Sequence, residues 1–226
     1  MVSKPRNNYA KDEGGGAGRR MPRRPRKPLH SILADALHSL EPSGPNGFEG
    51  FVASLLTELT GVRFLPPRAG LQHGRDLESS YADQAVVFVE CKRYGASTDL
   101  SQRDLVAEID IALRSEPRLD LYVVATTRGQ DAFLRNELSS KARKEGIDFE
   151  MLSCGSEQAP EELDILCAAY PPVVRRFIPS THAAMGDVTA YLGRVAESSG
   201  FQSKLEGLSR RFLSQNVGLA TFRNWS

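Results

Sequence analysis

Three residues of this 226-residue chain have the types and spacing for chemistry: Asp76, Glu90 and Lys92. Glu90 and Lys92 close the run Val86-Val87-Phe88-Val89-Glu90-Cys91-Lys92. That run is apolar, β-branched and aromatic, and reads as a strand covered on both faces. Side chains alternate along a strand, so Glu90 and Lys92 share a side, roughly 6–7 Å apart along the chain. A carboxylate and an ammonium at the end of a buried strand must be paired, metal-bound or used in chemistry. Asp76 ends the turn-like segment His73-Gly74-Arg75-Asp76, and thirteen residues separate it from Glu90. That interval suits a hairpin around Ser79–Asp83 whose arms bring both carboxylates to one point. Two acidic oxygen donors suit a hard cation such as Mg2+ or Mn2+. The lysine can orient or activate a water, or offset charge developing on a phosphate.

The elements that must position these residues are legible on either side. Leu29, Ile32, Leu33, Ala36, Leu37 and Leu40 form a helical stripe, ended by Glu41-Pro42-Ser43-Gly44-Pro45-Asn46-Gly47. Asn46 is the expected N-cap of a second helix, with the stripe Phe48, Phe51, Val52, Leu55, Leu56 and Leu59 stopped at Gly61. Glu49 lies in its first turn, where an acid favours the helix dipole. A short strand is expected over Val62–Leu65, before Pro66-Pro67. After the charged strand come a helix over Asp104–Leu113 and a strand over Leu119–Thr127. A helix within Gly129–Gly146 and a strand over Gly146–Leu152 follow. From Gln158 the composition turns helical, with stripes over Val188–Val195 and Phe201–Leu213. This divides the chain into an arm at 1–28, an α/β domain at 29–157 and a helical extension or linker at 158–226.

The pattern Gly-x-Asp, thirteen residues, then Glu-x-Lys resembles the PD-(D/E)xK nuclease superfamily. The continuation Glu90-Cys91-Lys92-Arg93-Tyr94 is closest to its Mrr-like restriction endonuclease branch. The resemblance covers about residues 45–153 and implies an α/β fold: a restriction-endonuclease-like mixed central sheet flanked by helices, here with a helical C-terminal extension. It implies a Mg2+- or Mn2+-dependent endonuclease acting on DNA, with Asp76, Glu90 and Lys92 catalytic. Asp76, Glu90 and the Cys91 backbone carbonyl would hold the metal, joined by Glu49 on the preceding helix. Arg75, Arg93 and Tyr94 could approach the nucleic-acid backbone; Arg75 could equally pair with Glu78, and Arg93 and Tyr94 could rest at the sheet's edge. The helical tail resembles the connector before the NTPase module of bacterial antiviral STAND proteins. That implies a homo-oligomer or a larger NTPase-containing assembly. The competing reading is a catalytically silent nuclease-fold module for DNA binding or assembly, with Glu90 and Lys92 as a structural ion pair. A repair resolvase is a third possibility, and it would be a dimer with basic faces.

Composition bounds these readings. Hydrophobic content of 40% and charged content of 25% describe a soluble globular protein. No apolar run approaches the roughly eighteen residues of a membrane span, and the N-terminus does not read as a secretory signal. Cys91, Cys154 and Cys167 form no C-x-x-C pair, which fits a reducing cytoplasm. The net charge of +1 is asymmetric: residues 1–28 carry nine Lys/Arg against Asp12 and Glu13, or +7, leaving −6 on the rest. The Gly- and Pro-rich arm is expected to be disordered, and its charge suits counterion release from nucleic acid as well as simple solubility. No Gly-x4-Gly-Lys-Ser/Thr loop occurs, so ATP hydrolysis is not expected of this chain.

Overall fold

Strand β3 (Val86–Lys92) lies at the centre of a five-stranded mixed sheet in the order β1-β2-β3-β4-β5. The computed structural model describes residues 29–67, 74–79, 85–95, 98, 100–129, 132–155 and 159–213. The basic arm, His73 and the turn expected around Ser79–Asp83, apart from Ser79 itself, lie outside the described residues. The chain runs α1 (Leu29–His38), α2 (Phe48–Thr60), β1 (Phe64–Leu65), β2 (Leu77–Ser79), β3 and α3 (Gln102–Ser115). It continues through β4 (Leu119–Thr126), α4 (Ala132–Lys144) and β5 (Asp148–Leu152). Helices α5 (Glu162–Ala169), α6 (Pro171–Phe177), α7 (Met185–Glu197) and α8 (Phe201–Leu213) complete it. β1, β2 and β3 pair antiparallel; β3, β4 and β5 pair parallel, with α3 and α4 as crossovers.

Both faces of the sheet are covered, which is why β3 and β4 read as unbroken apolar runs. Val87 and Val89 of β3, with Leu121, Val123 and Ala125 of β4, face the core built by α1, α2 and α5–α8. Phe88, Tyr122, Val124 and Met151 face the opposite core, with Leu105 and Ile109 of α3 and Leu138 of α4. The boundary expected at 157/158 therefore falls between elements that share one core. Leu163, Leu166, Val174, Tyr191 and Phe212 of the helical extension are buried in the same cluster as Phe48, Phe51 and Leu55. Phe51 and Phe177 meet edge to face at 5.5 Å, joining α2 to α6. Among the described residues no helix is long and apolar enough to cross a membrane.

The local starts and stops follow from side-chain chemistry, with one change from expectation. The N-cap of α2 is Gly47, not Asn46, and no side chain caps it. The loop before α2 folds tightly enough for the Phe48 N–H to donate to the Glu41 carbonyl at 2.7 Å. A Cβ at Gly47 would lie 2.3 Å from the Ser43 carbonyl oxygen, so close backbone packing selects glycine there. α2 stops at Gly61 in the left-handed conformation, as expected. Pro171 and Pro172 occupy the first turn of α6, where a missing N–H costs nothing.

Candidate active site

The antiparallel register Leu77↔Val89 and Glu78↔Phe88 carries Asp76 alongside the end of β3. Two hydrogen bonds then clamp it. The Asp76 N–H donates to the Val89 carbonyl at 2.8 Å, and the Cys91 N–H donates to Asp76 Oδ2 at 2.8 Å. Asp76 is thus fixed against the backbone on either side of Glu90. Behind it, the Tyr122 hydroxyl donates to the Gly74 carbonyl at 2.9 Å, tying the Gly74-Arg75-Asp76 segment to the buried middle of β4. Glu90 is only 6% exposed, and the Lys92 ammonium donates to its Oε1 at 2.5 Å. The alternation expected along β3 holds: Glu90 and Lys92 share a side and meet as an ion pair.

The carboxylates disfavour one another's charge. Burial, and then the Asp76 charge, push the Glu90 pKa up to about 7, against the hydrogen bond from Lys92. Burial also raises Asp76, opposed by the Cys91 N–H and the Lys92 charge. Glu49 is raised by burial and, to a lesser degree, by Asp76, while its hydrogen bond from the Gly44 N–H at 3.2 Å lowers it. Glu49, on α2, is thus within range of the Asp76 charge. Burial works against the Lys92 ammonium, but its bond to Glu90 and the Glu90 charge outweigh it, and the pKa rises. The lysine stays protonated at neutral pH.

Not every candidate is available for a ligand. Arg75 pairs with Glu78 at 2.8 Å and lies 4.0 Å from the Phe88 ring centroid, so it is engaged within the fold. The Arg93 guanidinium donates to the His38 carbonyl at the end of α1. Tyr94 has its backbone N–H and carbonyl bracketed by the Thr127 hydroxyl at 3.1 and 2.8 Å, and its phenol lies near enough to Lys92 to raise its pKa. The Cys91 side chain packs against the α2 core; burial pushes its thiol well above the ordinary range, and it is inert at neutral pH.

From the sequence, Gln102 and Glu108 sit on α3 with no strong claim to the site; for Glu108 the structure differs. Glu108 of α3 reaches the site: its charge raises Glu90, Lys92 and Tyr122. Its carboxylate oxygen lies 3.2 Å from where a Cβ on Gly74 would stand. The signal was present in the spacing. Leu105, Ile109 and Ala112 are the buried stripe of α3, and Glu108 interrupts it at i+3 from Leu105. An acid within an apolar stripe is one that faces the sheet.

Among the described residues no three His, Cys, Asp or Glu side chains stand as a ready-made metal cage. Magnesium seldom needs one, because it keeps waters and substrate oxygens beside one or two carboxylates. Asp76 and Glu90 are of the right donor type, desolvated and mutually repelling, which a divalent cation would relieve. Lys92 would have to release Glu90 Oε1. The chain matches no protein-family model, and no curated protein is significantly similar to it.

Proposed function

We propose that this chain is a metal-dependent DNA endonuclease with a restriction-endonuclease-like fold. The observation that carries the reading is the clamp on Asp76, which sets its carboxylate beside Glu90 and Lys92 at the end of a buried strand. The order of elements supports it: a helix bearing Glu49, three antiparallel strands, a crossover helix and a parallel strand. Asp76, Glu90 and the Cys91 carbonyl would hold Mg2+ or Mn2+, and Glu49 would join them only by closing in from α2. When bound, the cation supplies Lewis acidity at the scissile phosphate and a more acidic water. Lys92, kept protonated, would orient the attacking water and offset charge growing on the phosphate rather than act as a base. Hydrolysis leaves a 5′-phosphate and a 3′-hydroxyl.

The setting we propose is a cytoplasmic defence effector, restrictive or antiviral, working as a homo-oligomer or in a larger NTPase-containing assembly. The acidic body favours such help, since −6 outside the basic arm repels DNA. Plasmid cleavage in Mg2+, Mn2+ or EDTA tests the reading. Asp76→Ala, Glu90→Ala and Lys92→Ala should each reduce metal-dependent nicking by on the order of 10² to 10⁴, with the fold intact. Undiminished cutting in all three sinks the assignment. The alternative, a silent nuclease-fold module for DNA binding or assembly, is favoured by the closed Glu90–Lys92 pair. It requires that the natural chain bind no Mn2+ in a titration.

A further inference from the structure

The backbone that carries Lys92 is held on both sides. Before it, the Cys91 N–H donates to Asp76 Oδ2 at 2.8 Å. After it, the Thr127 hydroxyl accepts from the Tyr94 N–H at 3.1 Å and donates to the Tyr94 carbonyl at 2.8 Å. One hydroxyl thus satisfies both backbone groups of a residue 33 positions away, and Thr127 is only 3% exposed. The pairing of β3 with β4 ends at Lys92, so this bracket is what sets the course of the chain leaving the strand.

The Lys92 side chain has its own neighbour at the same strand end. The parallel register sets Lys92 against Thr126. Tyr122 and Val124 of β4 face the α3 side, so alternation turns Thr126 there too, as it turns Glu90 and Lys92 after Phe88. β2 pairs with β3 at Phe88 and Val89, so β4 is the strand that flanks Lys92. Adjacent strands lie roughly 4.8 Å apart, which puts paired side chains on one face in contact range. Threonine is short and lysine long, so Thr126 stands beside the methylene stem rather than the ammonium. Thr126 has no exposed surface, and its Oγ1 accepts from the Arg128 N–H at 3.2 Å. It therefore meets no ligand, and its hydroxyl oxygen is engaged by the turn. What it offers the lysine is a stiff, β-branched wall.

That wall matters when Glu90 turns to a cation. Lys92 would then release Glu90 Oε1, and its ammonium would lose the bond that now fixes it. An unrestrained lysine samples many rotamers, and ordering it again costs entropy. We infer that Thr126 and Thr127 are positioning residues for Lys92. Thr127 fixes the backbone that carries the lysine, and Thr126 confines the stem that aims its ammonium. The inference rests on the nuclease reading for the work that Lys92 does.

The two positions should show opposite patterns of rescue in the full chain. Shape counts at Thr126, so Thr126→Ala should lower kcat for Mg2+-dependent DNA cleavage about tenfold with KM unchanged, and Thr126→Val should keep most of it. The hydroxyl counts at Thr127, so Thr127→Val should lower kcat about tenfold and Thr127→Ser should keep most of it. Carbon-13 relaxation of the Lys92 methylenes, with Mg2+ and no DNA, reads the same property without turnover; the signal absent from Lys92→Ala identifies them. Their order should fall in Thr126→Ala and Thr127→Val and hold in the other two. Thermal melting checks folding, and should one damaging variant not fold, the pair at the other position decides. Natural kcat in both damaging variants, whatever their melting temperatures, overturns the inference and leaves the nuclease. A loss of kcat without loosened methylenes overturns it as well, because the effect then bypasses Lys92. Equal losses in Thr126→Val and Thr126→Ala overturn the packing role of Thr126. A natural chain that cuts nothing in Mg2+ or Mn2+ overturns the nuclease reading and the inference with it.

Discussion

Glu90 sits between competing demands. Its neighbours Asp76 and Glu108 raise its pKa by like-charge repulsion, and burial does so more strongly. Replacing Glu108 with Gln removes one of those charges while keeping the shape of the α3 stripe. The acid limb of Mn2+ binding, followed by titration across pH, should then move to lower pH, because Glu90 loses its proton more easily. If Glu108 merely packs against Gly74, the limb stays where it is and only the melting temperature responds. The same logic explains Lys92. Its ammonium pairs with a carboxylate that little water reaches, so without a metal it occupies Glu90.

At the scale of elements, the seating of the Gly74-Arg75-Asp76 segment on α3 decides whether Asp76 reaches β3. Gly74 has φ +76°, and a Cβ there would lie 2.5 Å from the Glu108 carbonyl oxygen. Gly146, after α4, has φ +79° with nothing within 4 Å of its Cβ position. Gly146→Ala should therefore cost only the backbone term, about 1 kcal/mol. Gly74→Ala should cost roughly 2–4 kcal/mol, since a helix backbone cannot yield as a side chain does. It should also lower cleavage more than stability predicts, by displacing Asp76. Denaturant melts of both variants, with cleavage at matched folded fraction, measure the difference.

For the whole molecule, buried acids set the pH response. Glu90 and Glu150 are raised to about 7 and Asp164 to about 6, each chiefly by burial. Above the unfolded carboxylate range and below these values, the folded chain holds protons that the unfolded chain has lost. Stability is then greatest near the acid end and declines as pH rises through the folded pKa values. Without metal, the melting temperature should fall between about pH 5 and pH 8, and Glu150→Gln should flatten part of the decline. Glu150 faces Arg211 of α8 and Arg135 of α4, whose charges oppose the shift, while Glu162 adds to it. Millimolar Mn2+ should stabilise the protein most at the alkaline end, where Asp76 and Glu90 are ionised. A metal effect independent of pH would contradict that assignment.

Local pattern determined most of the elements. Period and punctuation placed β3, β4, α7 and α8 closely, since burial on one or two faces writes itself into residue spacing. The same reading put Asp76 opposite Glu90, because a hairpin of that length has few registers. Other features depended on long-range packing, which one stretch of sequence cannot express. The approach of α3 brought Glu108 to the site from outside the motif. The close loop at Ser43–Gly47 moved the cap of α2 from Asn46 to Gly47. The core shared by α2 and α6–α8 drew the helical extension onto the sheet. Apart from the α2 cap, where Glu41, Ser43 and Phe48 are near in sequence, the deciding contact joins residues distant in the chain, so its energy resides in the tertiary structure alone.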